Sequence, residues 1–229
     1  MKIIGEIPAR LGSKRVKKKN IRLLDGKPMI IYAIDAAKNA TTLTDIYVNS
    51  ESDVIGDIAL KNNIKYYKRS KELATDAATS DDYNYDFIKK TDADILVQIN
   101  PVSPLIESTD IDNIVKFALS NNFDTVITTK DEYLQSFYNN KPINIDINKQ
   151  LSRTQDLQPI QLCCWGVCVW KATSFIKHYE MTGRGVFCGN VGFYPIEHSK
   201  TIKISTEEDF CIAEALIQYN RNKNENKTV

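Results

Sequence analysis

What most limits the fold of this chain is its alternation: short apolar runs, each closed by turn residues, are followed by longer segments of helical period. Such alternation marks an α/β protein built on a mainly parallel sheet. The short runs at Ile3–Ile7, Asp45–Asn49, Lys65–Tyr67, Asp94–Ile99, Asp124–Thr128, Leu162–Trp170, Val191–Tyr194 and Thr201–Ile204 each predict a strand. A helix is expected after Lys27, with Pro28 in its first position and Met29, Ile30, Ala33, Ile34 and Ala37 on one apolar face. Others are expected near Asp53–Asn62, Ser80–Lys90, Ser108–Asn121, Ala172–Tyr179 and Thr206–Asn220. From Asp131 to Pro159 the chain is rich in Asn, Lys, Gln and Pro without a sustained apolar face, so it reads as an excursion from the sheet, either a lid or an oligomer contact. Arg221–Val229 reads as a frayed polar tail. The 229 residues suit one domain over 1–229, with an excursion or dimerisation segment at about 131–195.

Charge narrows the partners. Thirty basic against 29 acidic side chains leave a net charge of +1, which removes any whole-chain electrostatic case for nucleic acid or an anionic membrane. An anion site must therefore be local. The five cysteines, at 163, 164, 168, 188 and 211, form no CxxC pair and accompany only His178 and His198. That pattern argues for reduced thiols in a cytoplasmic protein and against a zinc site. Glu6 and Pro8 interrupt the N-terminal apolar run, so no signal peptide is expected, and no stretch nears the roughly 18 apolar residues of a membrane span.

The local anion site has a clear candidate directly after the first strand. Between Arg10 and Arg22 lie seven basic residues and no acidic one. Gly12 and Ser13 let backbone N–H groups turn toward a ligand, and the cations supply charge for a polyphosphate. Ligands of open α/β sheets bind at the carboxyl ends of the strands, where this loop falls. On charge alone a solvated basic turn is an equal alternative, and neither a Walker A sequence nor a GxGxxG is present.

The order of residues carries more than the charge. The string IPARLGSKRVKKKN resembles the signature IPARxGSKxxxxKN of the CMP-sialic acid synthetase family, nucleotidyltransferases that join CTP to a nonulosonic acid. In the same order, Lys68–Ser80 resembles RPxxLAxDxxxS, Asn100–Leu105 resembles QPTSPL, Ser152–Leu157 resembles the RxQDL region, and Ile204–Phe210 resembles the DIDTxxDF segment. The resemblance spans essentially the whole chain. It implies a three-layer α/β/α nucleotidyltransferase fold, Rossmann-like, and transfer of CMP from CTP to an acidic sugar for surface glycan assembly. It further implies that Arg10, Ser13 and Lys14 hold the triphosphate, that Lys19 stabilises charge at the reacting phosphate, with Arg10 sharing that catalytic role, and that Asn20 contacts the nucleotide. Arg69, Ser80 and the backbone around Ala78 would read cytosine. Asn100 and Arg153 would bind the acceptor, Arg153 through a guanidinium fork on its carboxylate. Magnesium delivered with CTP and a homodimer are also implied.

The departures are as informative. The aspartates of DIDT, which hold magnesium in the family, fall on Lys203 and Ser205, leaving Asp209 as the one candidate ligand. Yet Thr206 to Asp209 also has the spacing of a capping box, and Ser80 reads equally well as a helix N-cap. Asn100 is one methylene shorter than the family's glutamine, and Trp165 stands where an asparagine is usual. Two alternatives stay open: a cytidylyltransferase acting on 3-deoxy-manno-octulosonate or on a non-sugar phosphate or phosphonate, and a silent CTP-binding homologue.

Overall fold

A parallel strand covered by helices on both faces must be apolar on both sides. The first strand, β1 (Ile3–Pro8), meets that requirement except at Glu6. In the computed structural model, which describes residues 1–225, it is followed by the hairpin β2 (Leu23–Leu24) and β3 (Lys27–Pro28), then α1 (Ile30–Asn39), β4 (Asp45–Ser50), α2 (Asp53–Lys61) and β5 (Lys65–Lys68). Next come α3 (Ser80–Thr91), β6 (Ile95–Ile99), α4 (Ser108–Ser120), β7 (Thr125–Glu132) and a second hairpin, β8 (Phe137–Tyr138) with β9 (Lys141–Pro142). The chain closes with β10 (Ile160–Lys171), α5 (Ala172–Thr182), β11 (Val191–Pro195) and α6 (Glu207–Glu225).

Seven strands form one sheet in the order β11-β7-β10-β6-β1-β4-β5. All run parallel except β10, which is antiparallel to both β6 and β7. Helices α1, α2 and α4 contribute to one core cluster, α3 and α5 to another, giving the expected three-layer α/β/α arrangement. Helix α6 joins a third cluster in which Phe210 and Ala213 pack with Val16, Leu24, Met29 and Ile204. None of the helices among the described residues is long and apolar enough to cross a membrane.

Strand order fixes where the ligand crevice lies. From β1 the chain moves outward to β4 and β5, then returns to β6 on the other side of β1. Strand order therefore reverses between β1 and β6, and the crevice at their carboxyl ends is the topological switch point.

Several expectations need correction. Thr201–Ile204 is not a strand: a 3-10 turn ends at Thr201 and Ile204 makes a single backbone bond to Val102 O (2.8 Å), because Asp209 turns the following residues into a helix cap. Pro28 does not start α1. Asp25 and Gly26, both at positive φ, close the β2–β3 hairpin, and Pro28 lies opposite Leu23 in it, so the helix begins at Ile30. The N-cap of α3 is Thr79, whose side chain accepts from Asp82 N while Asp82 caps Thr79 N in return; Ser80 is the first helical residue. The expected tail is helical to Glu225, with Arg221 paired to Asp25 at 2.7 Å, and its last residues, 226–229, lie outside the described residues. Within 131–195, the segments Ile160–Lys171 and Val191–Pro195 are members of the central sheet, and the excursion proper carries the β8–β9 hairpin and a 3-10 turn at Thr154–Asp156.

Candidate functional site

The loop after β1 concentrates like charges, so it needs tethers. Ala9 N donates to Asn49 O (3.0 Å), Leu11 N donates to Glu51 Oε1 (2.9 Å), and Asn20 Nδ2 donates to Arg10 O (2.9 Å). Val16 is buried in the α6 cluster, giving a strongly basic segment one apolar anchor. Arg22 pairs with Glu207 and lies over the Phe210 ring, 4.1 Å from its centroid.

So held, the loop forms one wall of a cavity of about 190 Å³ at the switch point. Arg10, Ser13, Lys14, Arg15, Lys19 and Asn20 line it from the β1 side, and Asn100, Pro101 and Val102 from the β6 side. Lys19 is the most perturbed cation there. Its Nζ donates to Ile204 O (2.6 Å), and burial, with repulsion from Arg15, Lys203 and Arg10 outweighing attraction from Asp209, pushes its pKa down to about 8. A cation held this way gains most when an anion arrives. Arg10 (2.9 Å) and Lys14 both pair with Asp76, which holds that carboxyl below its usual range. An entering polyanion competes with Asp76 for both.

The other expected residues are less uniformly placed. Arg69 is 4% exposed: its Nη2 donates to Ala9 O and Asn49 O (both 3.1 Å), its guanidinium stacks on Tyr83, and its Nε is buried without a partner. It braces the strand ends beneath the loop. Ala78 and Ser80, both half-buried, sit at the start of α3 and do not line the cavity. Arg153 is exposed on the excursion, paired with Asp156 at 2.8 Å, and is likewise not among the lining residues. Asn100 does line it, and its Nδ2 donates to Trp165 O (2.7 Å). Trp165 has φ +60°, a left-handed conformation that costs a bulky residue on the order of 1–3 kcal/mol, at an irregularity in β10. Asn100 N also donates to Gly166 O (2.9 Å), so one asparagine grips the irregularity at two points.

The residues do not fit a magnesium ion held by the protein. Asp209 Oδ2 already accepts from Ser205 N and Thr206 N (2.8 Å each), in the expected capping box, and its charged neighbours include Lys19. No cluster of three His, Cys, Asp or Glu side chains suited to a metal occurs among the described residues. The five cysteines are free thiols.

Residues that sequence reasoning passed over include Arg15 in the cavity, Asp76, and a buried polar set below the floor. Glu6, fully buried, accepts from Asn49 Nδ2 and from Gln98 Nε2 (3.3 Å), and Gln98 Nε2 also donates to Asn84 Oδ1 (2.8 Å). An acid inside an apolar strand run was the available signal.

A profile of the cytidylyltransferase family matches residues 4–160. The chain is 30% identical to the N-acylneuraminate cytidylyltransferase of Streptococcus agalactiae serotype III, strain NEM316, across 99% of its own length and 56% of the relative's, and so spans about half of that protein. It is 29% identical to the CMP-N,N'-diacetyllegionaminic acid synthase of Legionella pneumophila, across 96% of this chain and 98% of the other. Among solved structures, a CMP:2-keto-3-deoxy-manno-octonic acid synthetase complexed with CTP superposes with a TM-score of 0.71 at 14% identity, covering 96% of this chain and 100% of the other; that likeness concerns the fold.

Burial raises the Glu6 carboxyl from 4.5 to about 7, against the lowering effects of the Asn49 bond, the Arg69 charge and the Gln98 bond. Below pH 4.5 both folded and unfolded states hold the proton and the contribution to stability is complete. As pH rises toward 7 the unfolded chain releases it first, so stability falls by about 3 kcal/mol in all. Urea midpoints should therefore drop between pH 4.5 and 7.5 in the wild type by more than in Glu6→Gln. Parallel pH curves for the two proteins would rule out this titration.

Proposed function

The chain belongs to the cytidylyltransferase family, and from that membership we propose that it transfers CMP from CTP to an acidic sugar of the nonulosonic class, releasing pyrophosphate. The observation that carries the reading is the cationic cavity at the switch point, lined by Arg10, Ser13, Lys14, Arg15 and Lys19 on one wall and Asn100 on the other. A hydroxyl of the acceptor attacks the α-phosphorus and gives up its proton to water; the new P–O bond forms as the bond to the bridging oxygen breaks, and the electron pair leaves with pyrophosphate. Such a reaction asks the protein chiefly for alignment and for charge at the phosphates.

The triphosphate lies along Arg10, Ser13 and Lys14 and displaces Asp76 from the two cations. Lys19 answers the charge that develops at the reacting phosphate. Arg69 acts on the nucleotide side from below by fixing the ends of β1 and β4, with Ser80 and the Ala78 backbone reading the base edge and Asn20 bracing the loop. On the acceptor side Asn100 meets the sugar and Arg153 exchanges Asp156 for the sugar's carboxylate. Magnesium would be delivered with CTP and would supply charge at the phosphates, since the residues around Asp209 offer it no protein site. Two copies of the chain associate through the excursion, where Leu134, Phe137, Tyr138, Ile143, Ile147 and Leu151 are each more than half exposed.

Pyrophosphate release, measured with CTP against a panel of nonulosonic acids, octulosonates and phosphonates, tests the reaction. The expected result is release with a nonulosonic acid and CTP, and none with UTP or ATP. Release confined to octulosonates or phosphonates, or no release with any acceptor, would overturn the assignment.

Lys19 supplies a second test. Its folded pKa of about 8 rises again when the triphosphate arrives, so at pH 8.5 CTP binding should take up a proton. Calorimetry in two buffers of different ionisation heat measures that uptake, and Lys19→Arg should abolish it. Lys19→Ala should lower turnover far more than CTP affinity. Equal uptake by wild type and Lys19→Arg would remove Lys19 from the site.

The third test concerns the metal. Lys203→Asp combined with Ser205→Asp restores a carboxylate pair without touching the Thr206–Asp209 cap, and it should lower the magnesium concentration needed for half-maximal rate. An unchanged requirement would place the metal away from this segment.

A further inference from the structure

The mechanism above leaves Glu6 unused, although Glu6 and Arg69 are the only buried carboxyl and cation among the described residues. They belong to one file of hydrogen bonds that crosses five adjacent strands. Arg69, just after β5, donates to Asn49 O on β4 (3.1 Å); Asn49 Nδ2 donates to Glu6 on β1; Gln98 on β6 donates to the other Glu6 oxygen (3.3 Å). Asn100, just after β6, donates from Nδ2 to Gln98 Oε1 (3.4 Å) and to Trp165 O on β10 (2.7 Å). The file runs under the cavity from the arginine on the nucleotide side to the asparagine on the acceptor side.

The direction of these bonds is decided at Glu6. Above pH 7, where Glu6 is ionised, its carboxylate only accepts, so it takes an N–H from each side. That requirement turns the Gln98 amide so that its NH₂ faces Glu6 and Asn84 and its oxygen is left for Asn100. Asn100 then spends its own NH₂ on Gln98 and Trp165, and its Oδ1 is the atom free to accept from a ligand in the cavity it lines. A glutamine at position 6 would bring one NH₂ against another, and an apolar residue would leave the Gln98 amide held by Asn84 Oδ1 alone on that side.

We propose that Glu6 is a positioning residue, fixing the amide orientation of Gln98 and through it of Asn100, so that Asn100 offers a carbonyl oxygen to a hydroxyl of the acceptor. The proposal rests on the functional reading above for the identity of the acceptor. The orientation itself does not.

The test uses Glu6→Gln, Glu6→Leu, Asn100→Ala and the double variant Glu6→Leu with Asn100→Ala. Each Glu6 variant should raise KM for the acceptor by at least about tenfold while KM for CTP stays within about threefold, and the double variant should be no worse than Asn100→Ala alone, because Glu6 acts through Asn100. Equal losses for both substrates, or effects that multiply, would reduce Glu6 to a structural carboxyl. Glu6→Gln keeps the test open if Glu6→Leu does not fold. A second readout stands apart from catalysis: the Asn100 side-chain NH₂ should exchange slowly with water in the wild-type amide spectrum and quickly in Glu6→Gln. Fast exchange in the wild type overturns the proposal. Slow exchange in a protein that transfers CMP to no acidic sugar would instead uphold the orientation and sink the functional reading.

Discussion

Everything at the functional end of this molecule depends on holding seven cations within thirteen residues of one loop. Two unit charges about 7 Å apart repel by roughly 0.6 kcal/mol in water and roughly 2 kcal/mol in the effective dielectric of a protein surface. Left to itself such a loop would extend into solvent. It is kept against the sheet by hydrogen bonds at Ala9 and Asn20 to backbone carbonyls, by that of Leu11 to the Glu51 carboxylate, and by the burial of Val16. Carboxylates then relieve the repulsion from outside, Asp76 for Arg10 and Lys14, and Glu207 for Arg22. Lys19 has no such ion pair, only the carbonyl of Ile204, and it is the cation whose proton is most weakly held.

The alternation of apolar runs and helical segments was sufficient to predict a mainly parallel sheet, because each buried parallel strand must be apolar on both faces, while the three layers were implied by the family resemblance. It failed where local chemistry overrode period. Asp25-Gly26 closes a hairpin that moves the start of α1 two residues past Pro28, and the Asp209 cap turns the chain where apolar Ile202 and Ile204 suggested a strand. Helix α6 continues through a polar sequence because Arg221 is tied back to Asp25 and Gln218 also reaches it. Composition cannot register a tether to a residue nearly two hundred positions away.

Much of the site was legible for a simple reason. Arg10, Ser13, Lys14, Lys19 and Asn20 belong to one loop after one strand, so their convergence follows from chain continuity and from strand order. Asn100 joins them because β6 lies next to β1. Arg69, expected from the resemblance to read the base, is buried just after the edge strand β5 and its side chain reaches inward to Ala9 and Asn49, a placement no spacing in the sequence displays. Glu6 was noticed only as a break in an apolar run. Its partners Asn49 and Gln98 lie on separate strands, and no spacing within the sequence brings the three together.

Strain and burial at the floor of the cavity point the same way. A tryptophan at φ +60° and a carboxyl without solvent are each unfavourable taken alone, and both are sustained by Asn100 and Gln98, which bridge them. Because the two costs share their supports, loosening either end frees the other: an Asn100 released from Gln98 also loses orientation at the Trp165 carbonyl. Networks of this kind fix one arrangement more firmly than separate contacts do, since a half-satisfied state leaves buried polar atoms unpaired. The β1 and β6 sides of the cavity are thus tied to one another through the sheet itself.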